Sequence, residues 1–187
     1  MEKKVSLKKL KKESDWEFKV MQIRRVARVT AGGKRFKVRA VVIGGNKNGL
    51  VGVGIEKGMD IAQAVEKAEK SAQKNAIQVP IVGPGTIPYE VSGKVGASEV
   101  LLKPAKEGKG LIAGGPVRTL LSLAGYSNVT AKILGVTKNP LTNTLAAMEA
   151  LKKLSKSYQN KVNIRENLLK LTKKDDSSAP SPVSVET

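Results

Sequence analysis

The stretch FKVMQIRRVARVTAGGKRFKVRAVVIGGNKNGLVGVGI, residues 18–55, decides the fold of the first part of the chain. Apolar residues recur along it in a strand-like pattern until Gly32 and Gly33 interrupt them, and the alternation resumes at Phe36. This pattern predicts a β-hairpin with its turn at Gly32-Gly33. A second glycine-rich turn at 44–49 predicts a further strand at 50–55.

The same stretch contains no acidic residue and nine basic ones, which are Lys19, Arg24, Arg25, Arg28, Lys34, Arg35, Lys37, Arg39 and Lys47. The apolar alternation indicates that the segment is folded, so its charges of one sign repel each other within a defined structure. A polyanion is the usual partner that relieves such repulsion. The whole chain has 187 residues and a net charge of +18, which likewise predicts attraction to nucleic acid or to an anionic surface.

Composition excludes several functional classes. The chain has no cysteine and no histidine, which removes disulfides, thiolate nucleophiles, the common zinc ligand sets and the usual general base. Aromatic residues make up only 3%, so reading of phosphates and RNA shape is favoured over base stacking. No apolar window reaches the ~18 residues that a membrane span needs. We therefore expect a cytoplasmic protein without cofactor, membrane partner or small-molecule substrate.

The predicted fold class is α+β with two small domains. Residues 1–14 are predicted to be a flexible basic arm, and residues 15–80 a βββα domain whose helix begins at Asp60, with Gln63 as capping-box partner. Two prolines, two glycines and a threonine in 81–88 predict a linker.

The second predicted domain, residues 89–157, has the order ββαβα. Its strands are predicted at 89–91, 99–103 and 129–136. Its helices are predicted at Val117–Ala124, with Pro116 at the first position and Gly125 past the end, and from Asn139-Pro140 onward. Residues 158–187 are predicted to be largely disordered, apart from a short helical segment at 164–171.

The basic hairpin is the strongest candidate site, since the planar guanidinium fork of arginine grips phosphate with two hydrogen bonds. The predicted RNA-binding residues, including second-rank candidates in the next turn and strand, are Arg24, Arg25, Arg28, Gly32, Gly33, Lys34, Arg35, Lys37, Asn46, Lys47 and Lys57. Gly32 and Gly33 are expected to supply unusual backbone angles at the turn. Arg118, next to the helix start at Gly114-Gly115-Pro116, is either a partner contact or part of a simple helix start.

Residues 108–113, GKGLIA, match the glycine spacing of the dinucleotide fingerprint. That motif needs an acidic residue about 20 positions later for the ribose, and none occurs between Gly108 and Met148. A glycine-rich turn is the favoured interpretation.

Together, several motifs resemble the bacterial-type small-subunit ribosomal protein five family. They are Arg25-Val26-Ala27-Arg28, Gly32-Gly33-Lys34-Arg35-Phe36, residues 48–54 (NGLVGVG), 74–80 (KNAIQVP), 96–98 (GAS), 100–105 (VLLKPA), 108–115 (GKGLIAGG), Arg118, 123–125 (LAG) and Asn139-Pro140. The resemblance covers roughly residues 15–154. It departs from the family pattern at Lys47, Pro116, Thr142 and Leu145, and by an extra residue between Gly135 and Asn139.

The resemblance implies a first domain like a double-stranded-RNA-binding fold and a structural role without catalysis. It implies binding to small-subunit rRNA, with the hairpin reaching towards the body–head junction. It also implies contacts with small-subunit ribosomal proteins four and eight, a place beside the mRNA entry path and an influence on decoding accuracy. Two alternatives remain open from the residues: a free-standing RNA chaperone or regulator, and a nucleotide-binding enzyme built around residues 108–113.

Overall fold

The computed structural model describes the backbone of residues 16–175 and the side chains of residues 16–160. Its elements are β1 (Glu17–Thr30), β2 (Gly33–Gly45), β3 (Leu50–Gly58), α1 (Ile61–Lys74), β4 (Ile77–Gln78), β5 (Val91–Val95), β6 (Ser98–Pro104), β7 (Leu111–Ile112), α2 (Gly115–Ala124), β8 (Val129–Ile133) and α3 (Pro140–Asp175). The predicted α+β class with two domains is confirmed. Each domain has one strand more than predicted, β4 and β7, because two residues are too short to show a period of two.

The first sheet has the order β1-β2-β3-β4 and is antiparallel throughout. A bulge at Met21 interrupts the pairing of β1 with β2. Helix α1 covers one face, where Ala64, Ala68 and Ala72 are fully buried. The strand residues opposite α1 are glycines: a Cβ at Gly52 or Gly54 would overlap a carbonyl oxygen of the helix. Small residues on both sides therefore let helix and strand backbones touch.

The other face of this sheet packs on the second domain. That domain has a sheet of order β5-β6-β8-β7, with α2 and α3 against it. Ile43 and Val53 of the first sheet share one hydrophobic core with Leu120, Leu121 and Leu151 of the two helices. Burial of this core joins the two domains, since apolar area removed from water is the main stabilising term.

The predicted linker 81–88 is an ordered, packed connection. Ile87 is only 1% exposed and belongs to the shared core. The Tyr126 hydroxyl donates to the Pro80 carbonyl oxygen (2.9 Å), and the Asn128 side-chain amide donates to that of Pro84 (2.7 Å). The prolines do break secondary structure, but side chains some 45 residues away hold the segment in place.

Helix ends follow the sequence signals in part. Asp60 takes the extended N-cap backbone of α1, but its side chain makes no capping bond. The Gln63 side chain accepts from the N–H of Met59 (3.0 Å) and so reaches one residue further back than a capping box requires. Helix α2 begins at Gly115, with Pro116 in its first turn, and ends as predicted at Gly125, which has the left-handed φ of 96°.

The last helix differs most from the prediction. Helix α3 continues to Asp175, past the predicted domain end at 157 and through the predicted short helix at 164–171. Residues 158–175 contain no glycine or proline and many good helix formers, so nothing in the local sequence ends the helix. The predicted basic arm, 1–14, and the last part of the predicted tail, 176–187, lie outside the described residues.

Candidate nucleic-acid interface

The tip of the hairpin is one residue earlier than predicted. Thr30 pairs with Gly33, so the two loop residues are Ala31 and Gly32. The Thr30 hydroxyl donates to the Gly33 carbonyl oxygen (3.0 Å) and closes the loop. Of the two glycines only Gly33 has a positive φ, 126°, so the expected unusual backbone belongs to Gly33 and not to Gly32.

Beyond the end of β3, strands β1 and β2 continue as a two-stranded ribbon. The pairing of β2 with β3 ends at Val38 and Gly58, and the distal arm, which we define as residues 26–37, has no neighbour at either edge within the described sheet. At ~3.4 Å per residue the arm extends about 17 Å past β3. A two-stranded ribbon is only marginally stable by itself in water, which favours a partner for this arm.

One face of the hairpin carries most of the predicted cations. Residues directly opposite in an antiparallel pair project from the same face, and the register places Arg28 opposite Arg35 and Val26 opposite Lys37. We name this surface the basic face and define it by Arg24, Arg28, Arg35, Lys37, Arg39 and Lys57. Like charges opposite each other destabilise a sheet, so the arrangement costs stability in the free protein.

A row of three cations crosses the basic face where the arm meets the body. Arg24 of β1 lies opposite Arg39 of β2, and Arg39 lies opposite Lys57 of β3. The Nε atom of Arg39 is buried and has no hydrogen-bond partner among the described residues. Arg39 is absent from the predicted site residues, although its alternation with Lys37 along β2 is a signal that could have found it.

None of the six basic-face side chains forms an ion pair with a carboxylate among residues 16–160. Helix α1 provides the contrast, because Lys70 contacts Glu66 one turn away (2.6 Å). The hydrogen bond and charge of Lys70 lower the pKa of the Glu66 carboxyl, and Glu66 raises the pKa of Lys70 in return. The chain thus neutralises a cation on the helix and leaves those of the basic face uncompensated.

Two of the predicted cations lie on the opposite face of the hairpin. Arg25 pairs with Val38 and Lys34 with Val29, out of phase with the basic face. The Arg25 guanidinium lies 3.9 Å from the centre of the Phe36 ring. Phe36 is a second residue that sequence reasoning missed as a site candidate, although it sits in the middle of the basic run.

The predicted second-rank residues Asn46 and Lys47 lie at the other end of β2, about 20 Å along the strand from Arg39. The Asn46 side-chain oxygen accepts from the N–H groups of Asn48 (2.9 Å) and Leu50 (3.0 Å) and stabilises the turn. Lys47 has a positive φ of 57°, and its ammonium forms an ion pair with Glu17. Both side chains therefore have local partners and are not part of the basic face.

Arg118 is exposed in the first turns of α2; its backbone N–H donates to the Gly114 carbonyl oxygen (2.8 Å), and its side chain forms no ion pair with a carboxylate among residues 16–160. The fingerprint-like glycines Gly108 and Gly110 lead into the strand β7, whereas the glycines of the dinucleotide motif lead from a strand into a helix. The N–H of Gly110 donates to the side-chain oxygen of Asn128 (3.0 Å). Residues 108–113 therefore contain a glycine-rich turn that a hydrogen bond to Asn128 holds in place. The nucleotide-binding interpretation does not fit this segment.

Two further kinds of feature are absent from the described part of the chain. Residues 16–175 include no helix with both the length and the apolar character needed to cross a bilayer. Among the side chains of residues 16–160, no cluster of three or more acidic groups is placed to hold a metal ion.

Comparison with known proteins identifies the family. Residues 16–80 match the family model described as ribosomal protein S5, N-terminal domain, and residues 93–163 match ribosomal protein S5, C-terminal domain. The chain therefore belongs to the ribosomal protein S5 family, which consists of structural, non-enzymatic proteins of the small ribosomal subunit. The predicted resemblance and the predicted absence of enzymatic function are both confirmed.

Individual relatives match most of the chain. A small ribosomal subunit protein uS5 from Thermosynechococcus vestitus is 47% identical over 159 residues, 85% of this chain and 90% of the relative. A uS5c protein from Guillardia theta is 46% identical over 162 residues, 87% of this chain and 95% of the relative. The uS5 protein of Thermotoga maritima is 50% identical over 140 residues, 75% of this chain and 78% of the relative.

Proposed function

We propose that this chain binds small-subunit rRNA through the basic face of its hairpin and thereby acts as a structural constituent of the small ribosomal subunit. The observation that carries the proposal is the uncompensated row Arg24–Arg39–Lys57 at the base of the distal arm. Phosphate oxygens supply the negative charge that this row lacks among residues 16–160, and a hydrogen-bond acceptor for the Nε atom of Arg39, which has none there. Arg28, Arg35 and Lys37 extend the same contact towards the tip.

The mode of binding follows from the geometry of the arm. A ribbon about 17 Å long, with arginines on both strands, is suited to span phosphates on two sides of an RNA groove or junction. Each phosphate neutralised releases condensed counterions, so affinity falls steeply with salt concentration. Lys34 and Arg25, on the other face, are proposed to contact phosphates at the edge of the same RNA.

The second domain is proposed to contact neighbouring proteins. The family resemblance supports small-subunit ribosomal proteins four and eight as these neighbours, and Arg118 is the candidate contact because its side chain is exposed and makes no ion pair with residues 16–160. We further propose a position beside the mRNA entry path, an influence on decoding accuracy and a place on cytoplasmic ribosomes. These details rest on the family resemblance.

The test is RNA affinity as a function of salt. Deproteinised small-subunit rRNA is titrated with the full chain and with the double variant Arg28→Ala/Arg35→Ala at several KCl concentrations. The logarithmic salt slope should flatten by about 0.7–0.9 for each phosphate that is no longer neutralised, which is about 1.4–1.8 for the pair. The matched control is Lys106→Ala/Lys109→Ala, which removes the same charge from exposed positions of the second domain.

Two results would count against the proposal. If both double variants flatten the slope equally, net charge alone sets the affinity and the basic face has no special role. If the tagged chain stays at the top of a sucrose gradient under dissociating magnesium, instead of migrating with the small subunit, a free RNA-binding regulator is the better interpretation.

A further inference from the structure

The face of the distal arm opposite the basic face carries three apolar side chains beside one lysine and is open to solvent. Ala27, Val29, Lys34 and Phe36 share it, because Ala27 pairs with Phe36 and Val29 with Lys34. Val29 is 70% exposed and Phe36 is 48% exposed. An apolar patch on a ribbon that projects into solvent marks a contact surface, since nothing in the fold of the described residues covers it.

The Phe36 ring has a defined orientation in the free protein. The Arg25 guanidinium lies over the ring, 3.9 Å from its centre, and fixes one side of it by a cation–π interaction. The residue directly across the ladder is Ala27, whose methyl group is too small to cover the ring. The ring is therefore oriented before binding, which lowers the entropy that a partner must overcome.

We propose that Phe36, backed by Arg25, is a stacking site for one unpaired nucleobase of the bound RNA. The proposal rests on the proposed function and deepens it. The charges of the arm argue for this occupant. Lys34 projects from the same face as Phe36, and the cations of the basic face project from the other side of the same two-stranded arm, so both can bind phosphates of one RNA whose base meets the ring. The base must be unpaired or bulged, because bases inside a duplex do not expose their faces.

A stacking contact at Phe36 is compatible with the low aromatic content of the chain. With aromatic residues at 3%, the chain has no series of platforms for a continuous single strand. A single ring on a ribbon that binds phosphates serves a different purpose. It selects a site in folded RNA where one base is free, while the basic face holds the flanking backbone.

The test compares two variants with the parent, all as the full chain, on deproteinised small-subunit rRNA. Phe36→Leu keeps an apolar side chain and removes the π face, and it should weaken binding about 5- to 140-fold, the range for loss of one stacked base. Phe36→Tyr keeps the ring and should bind within about 2-fold of the parent. Neither variant should change the salt slope, because the same number of phosphates stays neutralised.

A spectroscopic signature accompanies the affinity change. In a Trp16→Phe background, the Phe36→Trp variant carries the only indole of the chain, and its emission should be quenched when the rRNA binds. Far-ultraviolet circular dichroism of each variant verifies the fold, and the arm is distant from the shared core.

The outcomes separate this proposal from the one it rests on. If Arg28→Ala/Arg35→Ala weakens binding while Phe36→Leu binds like the parent, the stacking site is refuted and the basic face stands. Equal losses of affinity for Phe36→Leu and Phe36→Tyr, or unquenched emission, also refute stacking. If Phe36→Leu binds naked rRNA normally but assembles poorly into the subunit, the apolar face serves a protein neighbour and the proposal is overturned.

Discussion

Gly125→Ala tests how firmly the two domains are joined. Gly125 ends α2 with a φ of 96°, and a Cβ there would overlap the carbonyl oxygen of Lys47 in the turn after β2. That turn caps the helix: the N–H of Lys47 donates to Leu123 (3.0 Å) and that of Gly49 to Ala124 (3.0 Å). The first domain thus satisfies helix carbonyls of the second that would otherwise lack partners.

The expected cost has two parts. A non-glycine residue in the left-handed region costs about 1–2 kcal/mol, and overpacking against a fixed backbone costs about 1–3 kcal/mol. We expect Gly125→Ala to lower the free energy of unfolding by about 3 kcal/mol, which corresponds to a melting temperature lower by about 6–12 °C for a chain of this size. Urea titration followed by circular dichroism and by the fluorescence of Trp16, at the base of the hairpin, measures it.

Two control variants separate the conformational cost of Gly125→Ala from its packing cost. Gly108 has a φ of 82° with no atom within 4 Å of a built Cβ, so Gly108→Ala should show the conformational cost alone. Gly45 has no positive φ, but its Cβ would overlap the Leu123 carbonyl oxygen, so Gly45→Ala should show the packing cost alone. If Gly125→Ala costs no more than Gly108→Ala, the turn moves away from α2 without penalty and the reasoning about a rigid joint is refuted.

At the hairpin tip, Gly33→Ala should lower the free energy of unfolding by about 1–3 kcal/mol because of its φ of 126°, whereas Gly32→Ala should stay within about 0.5 kcal/mol of the parent; equal urea midpoints for the two would contradict this. Tyr126→Phe should cost about 1 kcal/mol at neutral pH, since the bond from its hydroxyl to Pro80 is lost. Burial raises the pKa of the Tyr126 phenol above its usual 10.0, so the folded state keeps a proton that the unfolded state releases, and the contribution of this hydroxyl is complete below pH 10 and is lost as the pH rises above it. The difference between parent and Tyr126→Phe in urea titrations should therefore stay constant up to about pH 9 and shrink as the pH rises from about 10 to about 11. A difference that stays constant up to about pH 11 would show that the phenol is not desolvated.

Much of the fold could be predicted because its signals are local. Apolar alternation predicted the hairpin and third strand, and Pro116 and Gly125 predicted the limits of α2 closely. The strands β4 and β7 could not be predicted, since each is two residues long and exists only through its pairing with β3 or β8. The packed connection at 81–88 was also beyond local reasoning, because its partners Tyr126 and Asn128 are distant in sequence.

The candidate site was predicted as a set of residues but not as a surface. A turn at Gly32-Gly33 would slide the strands so that Arg28 faces Lys37; the loop at Ala31-Gly32 places Arg28 opposite Arg35 instead. Each face of the hairpin keeps the same residues in either register, because the shift is by two residues. The residues that lie directly opposite one another change. That Arg39 lies directly between Arg24 and Lys57 follows only from the observed register.

The sequence by itself determined that this chain is a strongly basic, cysteine-free α+β protein with a charged hairpin, because charge and short-range alternation are properties of neighbouring residues. Only the tertiary structure decided which cations lie directly opposite one another, that Asn46 and Lys47 serve the turn and the ion pair with Glu17, and that Phe36 is exposed beside Arg25. The physical reason is that strand register and domain docking are set by contacts between residues far apart along the chain, where no local pattern records them.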